Sequence, residues 1–252
     1  MLQETHGTVS DIEKWGQKWK DLGGNFSLWN DRERASRGVA ILFNTGQGVL
    51  IKEDKKDNDG RVLSCEIKIE NQIYILINIY CSNNNEEQKH FILSINSYLD
   101  IDGPTCNILN GDFNYVLDKT LDRLPSRSHD EPGTKELRDF ILKYNLTDIG
   151  RDQNQTMKKY TFQRGRSKSR RDLTLVGSDN ANKVISSKSS NYPFSDHNLN
   201  IIKLKTDDIE KGPGSWIMNL NTIKSDYLKQ IFPDWWKLWV TEKMKFVNLR
   251  EW

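Results

Sequence analysis

The stretch Cys106-Asn107-Ile108-Leu109-Asn110-Gly111-Asp112-Phe113-Asn114 decides how this chain is read. A short apolar run that stops at Gly reads as a buried strand ending in a tight turn. The turn puts a carboxylate and a carboxamide two residues apart at a sheet edge. Asp112 supplies hard, anionic oxygen, and Asn114 an amide that donates to one oxygen and accepts from another. Such a pair suits the orientation of a water molecule against a phosphate near a hard metal ion. Asp and Asn are also ordinary turn residues, so the pair gains weight only from other acidic and His residues at strand ends.

Several stand there. Glu4, in Leu2-Gln3-Glu4-Thr5-His6, comes just before a helix signal. Ser169-Arg170-Arg171-Asp172 leads into the strand-like Leu173-Thr174-Leu175-Val176. Ser195-Asp196-His197 precedes a second such pattern, Asn198-Leu199-Asn200-Ile201-Ile202. Between them, Ile77-Asn78-Ile79-Tyr80 ends in Tyr80 and a polar turn, Ser82-Asn83-Asn84-Asn85.

This ordered set resembles the endonuclease/exonuclease/phosphatase superfamily, whose motifs run Q-E-T, N-x-Y, G-D-F-N, S-x-x-D and S-D-H. Each motif is weak alone, but all five occur here in that order, over about residues 1–205. Within the superfamily the chain looks most like the apurinic-type endonuclease domain of LINE-type retrotransposon polyproteins. Thr120-Leu121-Asp122-Arg123 has that character. So does Gly212-Pro213-Gly214-Ser215-Trp216 with Asn219-Leu220-Asn221, which is similar to the segment leading towards a reverse transcriptase.

The resemblance implies an α+β fold: a four-layer α/β sandwich with two mixed β-sheets packed face to face, helices outside, and the site at one end. It implies a Mg²⁺-dependent DNA endonuclease, with Mn²⁺ as a substitute, that nicks target DNA to leave a 3′-hydroxyl for reverse transcription. Glu4, Asp112 and Asp196 would serve the metal. Asp112 and Asn114 would orient and activate water, and Tyr80 would donate to the scissile phosphate. Asp172 would fix the His197 imidazole. Thr161 and Ser195 would touch DNA, with Arg164, Arg166, Lys168 and Arg170 from the basic run before Asp172. A solvated loop is the general reading of such a run; its place beside the site favours phosphate contact. His6, His90 and His129 are expected on the surface.

Three departures stand out. The family's opening strand, with its Asn, precedes Q-E-T, whereas this chain begins at Met1-Leu2-Gln3-Glu4, so the first strand is expected to be missing and the domain N-terminally truncated. Arg171 occupies a slot that is usually apolar, and Cys81-Ser82 replaces the usual Ala-Pro. The alternatives are an apurinic- or exonuclease-type repair enzyme, a phosphoinositide phosphatase, and an inactive nucleic-acid-binding remnant.

With 252 residues the chain can bury a substantial core. Its net charge of +2 says little about nucleic acid, so local clustering carries that argument. Cys65, Cys81 and Cys106 lie in strand patterns without C-x-x-C spacing and read as buried, reduced thiols. No apolar stretch is long enough for a membrane span. Double-stranded DNA is the expected partner, with element RNA reached through a longer polyprotein, no membrane and no small-molecule cofactor. A nuclear or cytoplasmic location is expected.

Along the chain, Ser10-Asp11-Ile12-Glu13 predicts a capped helix carrying Trp15 and Trp19 on one face. Strands are predicted at 38–43, 49–52, 62–69 and 73–80, with helices over 86–99 and around Leu137 to Tyr144. Short strands near 160–163, 173–176 and 199–204 close the domain. Residues 206–252 hold Trp216, Trp235, Trp236, Trp239 and Trp252 and predict a helical tail.

Overall fold

The computed structural model describes residues 1–31, 37–45, 49–69, 71–101, 103–205 and 226–243. In chain order its elements are β1 (Leu2–Gln3), α1 (Val9–Asp21), β2 (Phe26–Asn30), β3 (Val39–Phe43), β4 (Val49–Lys56), β5 (Val62–Ile69), β6 (Gln72–Tyr80), α2 (Asn85–Ser94), β7 (Thr105–Asp112), β8 (Arg123–Leu124), α3 (Thr134–Lys143), β9 (Leu146–Asp148), α4 (Ile149–Asp152), β10 (Phe162–Arg164), β11 (Ser167–Ser169), β12 (Asp172–Gly177), β13 (Val184–Ser190), β14 (Leu199–Leu204) and α5 (Asp226–Lys243).

The apolar runs of β5, β6, β7 and β12 form the middle of a six-stranded sheet, ordered β4-β5-β6-β7-β12-β9. The β6–β7 pair is parallel, and the chain between them crosses over through α2, as a parallel connection requires. One face of this sheet presents Ile77, Ile79, Leu109, Leu173 and Leu175 to Ile92, Ile95, Leu137 and Phe140 from the helical side. Each fully buried Ile or Leu stabilises by about 1.5–3 kcal/mol. The opposite face packs Leu63, Cys65, Ile108 and Val176 against Leu28, Val39, Ile41 and Phe43 of β2 and β3, with Val184, Ile202 and Leu204 of β13 and β14. The layers are therefore helix, sheet, sheet and helix, with α1 outside β2: the Trp15 and Trp29 rings lie 5.5 Å apart, and Trp19 Nε1 donates to the Phe43 carbonyl at 2.9 Å.

Some details differ from expectation. The second β layer is antiparallel and in two pieces, β1-β3-β2 and the β13–β14 hairpin. The two-residue β1 pairs only with β3, so no ladder joins the pieces among the described residues. β2 and β13 had no predicted counterpart. β13, Val-Ile-Ser-Ser-Lys-Ser-Ser, is exposed along most of its length and reads as a loop. Helix α1 is capped by Thr8 rather than Ser10, and Asp11 Oδ2 closes the box by accepting from the Thr8 N–H at 3.0 Å.

The chain divides into Met1–Asp207 and Asp208–Trp252. In the second unit the described part is α5, which contains Pro233 and exposes Trp235 and Trp236. Gly212-Pro213-Gly214-Ser215-Trp216, Asn219-Leu220-Asn221 and Trp252 lie outside the described residues, as does the Trp239 side chain. No helix among the described residues is long and apolar enough to cross a membrane.

Candidate active site

Three neighbouring strands end in one row. Tyr80 is the register partner of Asp112 on the parallel ladder, and Asp112 is the partner of Asp172 on the antiparallel one. Gly111 makes the close approach possible. Its φ is 150°, and a Cβ there would lie 1.9 Å from the Ile79 carbonyl oxygen. Only glycine fits that contact.

His197 closes the row from above. Its Nδ1 lies 2.9 and 3.0 Å from the two Asp172 carboxylate oxygens, and its Nε2 lies 3.8 Å from Asp112 Oδ2. The Ser195 hydroxyl oxygen accepts from the His197 backbone N–H at 3.0 Å, and the Phe162 ring sits 4.9 Å from the imidazole. Burial alone would lower the His197 pKa. The hydrogen bond to Asp172, its charge, and the charges of Asp112 and Asp196 outweigh that and hold it up at about 9. Burial pushes the Asp112 carboxyl up, and the like charge of Asp172 adds to it, against His197, the Asn114 N–H and Arg171. A deep carboxylate raised in this way is short of positive charge.

Glu4 enters from β1. It is exposed and left-handed, at φ 52°, a conformation that is unusual outside Gly and Asn. The Tyr80 hydroxyl donates to Glu4 Oε1. Burial, and then Glu4 itself, raise the phenol, which therefore keeps its proton. Glu4 is held in place by a residue whose role the sequence reading missed. The fully buried Asn78 amide donates to the Leu2 and Ala40 carbonyls at 2.7 and 2.9 Å and accepts from Gln3 Nε2 at 2.5 Å. The signal was present, since a lone Asn inside Ile77-Asn78-Ile79 must find partners when buried.

Asn114, also left-handed at φ 53°, is fixed at both ends. Its Nδ2 donates to the Cys81 carbonyl at 2.8 Å and its Oδ1 accepts from Arg171 Nη1 at 3.2 Å. Its backbone N–H donates to Asp112 Oδ1 at 2.8 Å. One amide hydrogen and one lone pair remain for a ligand.

A cleft of about 430 Å³ is lined by Glu4, Asp112, Asp172, Ser195, Asp196 and His197 among other residues. Tyr80 reaches it through Glu4, while Asn114 opens on an adjoining hollow. The basic hairpin of β10 and β11 exposes Arg164 and Arg166 and half-exposes Lys168, which shares a groove with Ser195 and Asp196.

Two expected DNA contacts are corrected. Thr161 is buried, and its hydroxyl oxygen accepts the backbone N–H groups of Arg171 and Asp172, both at 3.0 Å, so it shapes the turn into β12. Arg170 is buried too. Its guanidinium grips Asp122 at 2.7 and 2.9 Å and Asp148 at 2.7 and 3.0 Å. Thr120-Leu121-Asp122-Arg123 thus earns its place structurally, for Arg151 also pairs with Asp122. His6, His90 and His129 are exposed, and Cys65, Cys81 and Cys106 are buried and form no disulfide among the described residues.

The donor set fits a hard cation. Ligand atoms of Asp112, Asp172 and His197 fall within 4.8 Å of one another. His197 and Asp172 already satisfy each other as an ion pair, and an imidazolium offers no lone pair to a metal. That leaves Asp112, with Glu4 and Asp196 on the same cleft, as the available oxygens, the ligand type that Mg²⁺ and Mn²⁺ take.

No protein-family model matches the chain. All of it aligns with a 149 kDa protein of transposon TX1 from Xenopus laevis, at 28% identity over 256 residues. The chain spans 19% of that protein's length. Among solved structures, an AP endonuclease from Archaeoglobus fulgidus superposes with a TM-score of 0.67 at 15% identity, over 81% of this chain and 87% of its own. The endonuclease domain of TRAS1, a telomere-specific non-LTR retrotransposon, superposes at 0.56 and 15% identity, over 73% of this chain and 79% of its own. The chain shares the fold of these solved nucleases.

Proposed function

We propose that the chain is the endonuclease segment of a LINE-type retrotransposon protein, hydrolysing a phosphodiester of double-stranded DNA with a divalent cation. Residues 1–205 would form the nuclease domain and 206–252 a connection to further segments, through which element RNA is reached. One observation carries the reading: Tyr80, Asp112 and Asp172 share a register row, and His197 bridges the two carboxylates. The alignment with the transposon TX1 protein supports the choice of element over a repair enzyme.

Each side chain has a task its geometry permits. His197, held as an imidazolium by Asp172, keeps a proton on each ring nitrogen through neutral pH. Its Nε2–H is then a charged donor on the Asp112 side of the cleft, suited to a phosphate oxygen whose charge grows in the transition state. Asp112, raised towards neutral, is matched to receive the proton of an attacking water. The water's oxygen bonds to phosphorus, the P–O3′ bond breaks, and O3′ takes a proton and leaves as a 3′-hydroxyl, with a 5′-phosphate on the other end. Tyr80, kept protonated, donates a second hydrogen bond once the phosphate replaces Glu4 as its partner. A cation held by Glu4 and Asp112, with Asp196 beside them, would supply neutralisation of the phosphate charge.

The nick's chemistry tests the reading. Plasmid treated with the purified chain and Mg²⁺ should be extended by a DNA polymerase directly from the nick, with no phosphatase step. Nicks that extend only after phosphatase treatment carry 3′-phosphates and belong to a different reaction.

A further inference from the structure

Behind Asn114 lies a second hollow, of about 160 Å³, lined by Asn83, Gln88, Asn114, Arg127, Glu131 and Arg171 among others. Its charge is unbalanced. Arg123 and Arg127 both direct Nη1 at the same Glu131 oxygen. Arg171 makes no salt bridge among the described residues. Three guanidiniums therefore share one carboxylate, and Asp112, beyond Asn114, is already faced by His197.

Arg171 is also pre-positioned. Its Nε donates to the Ser169 hydroxyl at 3.1 Å and its Nη1 to Asn114 Oδ1 at 3.2 Å. Its guanidinium stacks 5.0 Å from the centre of the Phe162 ring. Those two bonds use two of the five N–H donors of an arginine. A half-buried guanidinium fixed on three sides, with donors to spare and no ion-paired carboxylate, can offer its planar fork to two oxygens of a phosphate.

We infer that this hollow is an anion subsite for a non-scissile phosphodiester of the substrate strand, with Arg171 and Arg127 as its ligands. Asn114 lines the hollow and its backbone N–H donates to Asp112, which lines the cleft, so a strand lying over both would place neighbouring phosphates in the two. The inference rests on the nuclease reading and names how that site holds its substrate.

The test is binding of a fluorescent 20-base-pair duplex by the full chain in EDTA, where nothing is cut, over a series of salt concentrations. Arg171→Leu and Arg127→Gln should each weaken binding several-fold and lower the slope of log K against log salt by about 0.9, one phosphate's worth. Arg171→Lys should keep the slope and lose part of the affinity. Lys18→Gln, on α1 across the second sheet, should match the parent. Melting curves show whether Arg171→Leu is folded, and Arg127→Gln, at a largely exposed site, carries the test if it is not. A parent that binds and nicks DNA while Arg171→Leu and Arg127→Gln keep its slope overturns the subsite alone. A parent that shows no salt-dependent duplex binding overturns both the subsite and the nuclease reading.

Discussion

Asp112 and Asp172 are register partners on adjacent antiparallel strands, two carboxylates set opposite each other on one ladder. Like charges so placed are destabilising. His197 relieves the pair by meeting Asp172 at 2.9 Å while its other nitrogen stands 3.8 Å from Asp112. One cation for two carboxylates leaves the deeper one, Asp112, under-neutralised, and that shortfall is what suits it to a metal and to a proton.

Asp112→Asn should therefore stabilise the metal-free protein while abolishing nicking. The folded carboxyl titrates above its ordinary range, so the native state holds a proton that the unfolded chain has released. Stability is lost as pH rises through that window, and the Asn variant escapes the loss. In EDTA at pH 8 we expect it to melt about 3 °C or more above the parent, roughly 1 kcal/mol, with the gap narrowing towards pH 5. A variant that melts below the parent at pH 8 contradicts the electrostatic account.

His197→Gln should behave in the opposite sense. The folded pKa of about 9 lies above the ordinary 6.5, so the ion pair's stabilisation is fully present below pH 6.5 and disappears as pH rises through 9. The variant's melting deficit in EDTA should be largest near pH 6 and small by pH 10. Nicking at neutral pH should fall by about 10² or more. A deficit that grows with pH would mean that His197 is neutral in the fold.

Arg170 and the hairpin arginines should separate by assay. Arg170→Met removes the guanidinium from Asp148 and leaves Asp122 with Arg151 alone, which is expected to cost about 3 kcal/mol of stability. Arg164→Gln with Arg166→Gln should stay within about 0.5 kcal/mol of the parent and flatten the salt dependence of DNA binding. Urea denaturation and duplex titration decide both, and a stable Arg170→Met with weakened DNA binding would return Arg170 to the DNA-facing set.

Asn78→Ala should loosen Glu4 without touching the cleft. Loss of the amide leaves the Leu2 carbonyl and the buried Ala40 carbonyl without this donor, at a cost of about 1–3 kcal/mol. Titration with Mn²⁺ should show weaker binding than in the parent. Unchanged Mn²⁺ affinity would remove Asn78, and with it β1, from the support of the site.

Much of this was legible from residues at strand ends. The runs before Tyr80 and Asp112 and after Asp172 and His197 have strand character, and the order of the motifs pointed to a sandwich that gathers its loops at one end. What stayed hidden depends on partners remote in sequence. Nothing local separates Arg170 from Arg171; the difference is that Asp122 and Asp148 wait beside one of them. The resemblance placed Thr161 against DNA, and its role stayed hidden because the backbone N–H groups it serves lie across a hairpin. β13 escaped because a largely exposed hairpin strand carries few apolar residues, Val184 and Ile185 among its seven.

The most direct measurement is the rate of supercoiled-plasmid nicking by the chain with Mg²⁺, beside Asp112→Asn and His197→Gln purified identically. The parent should nick and be silenced by EDTA, and both variants should be folded and at least about a hundredfold slower. Equal nicking by the three proteins would show that the row of Tyr80, Asp112 and Asp172 beneath His197 is not where the reaction happens.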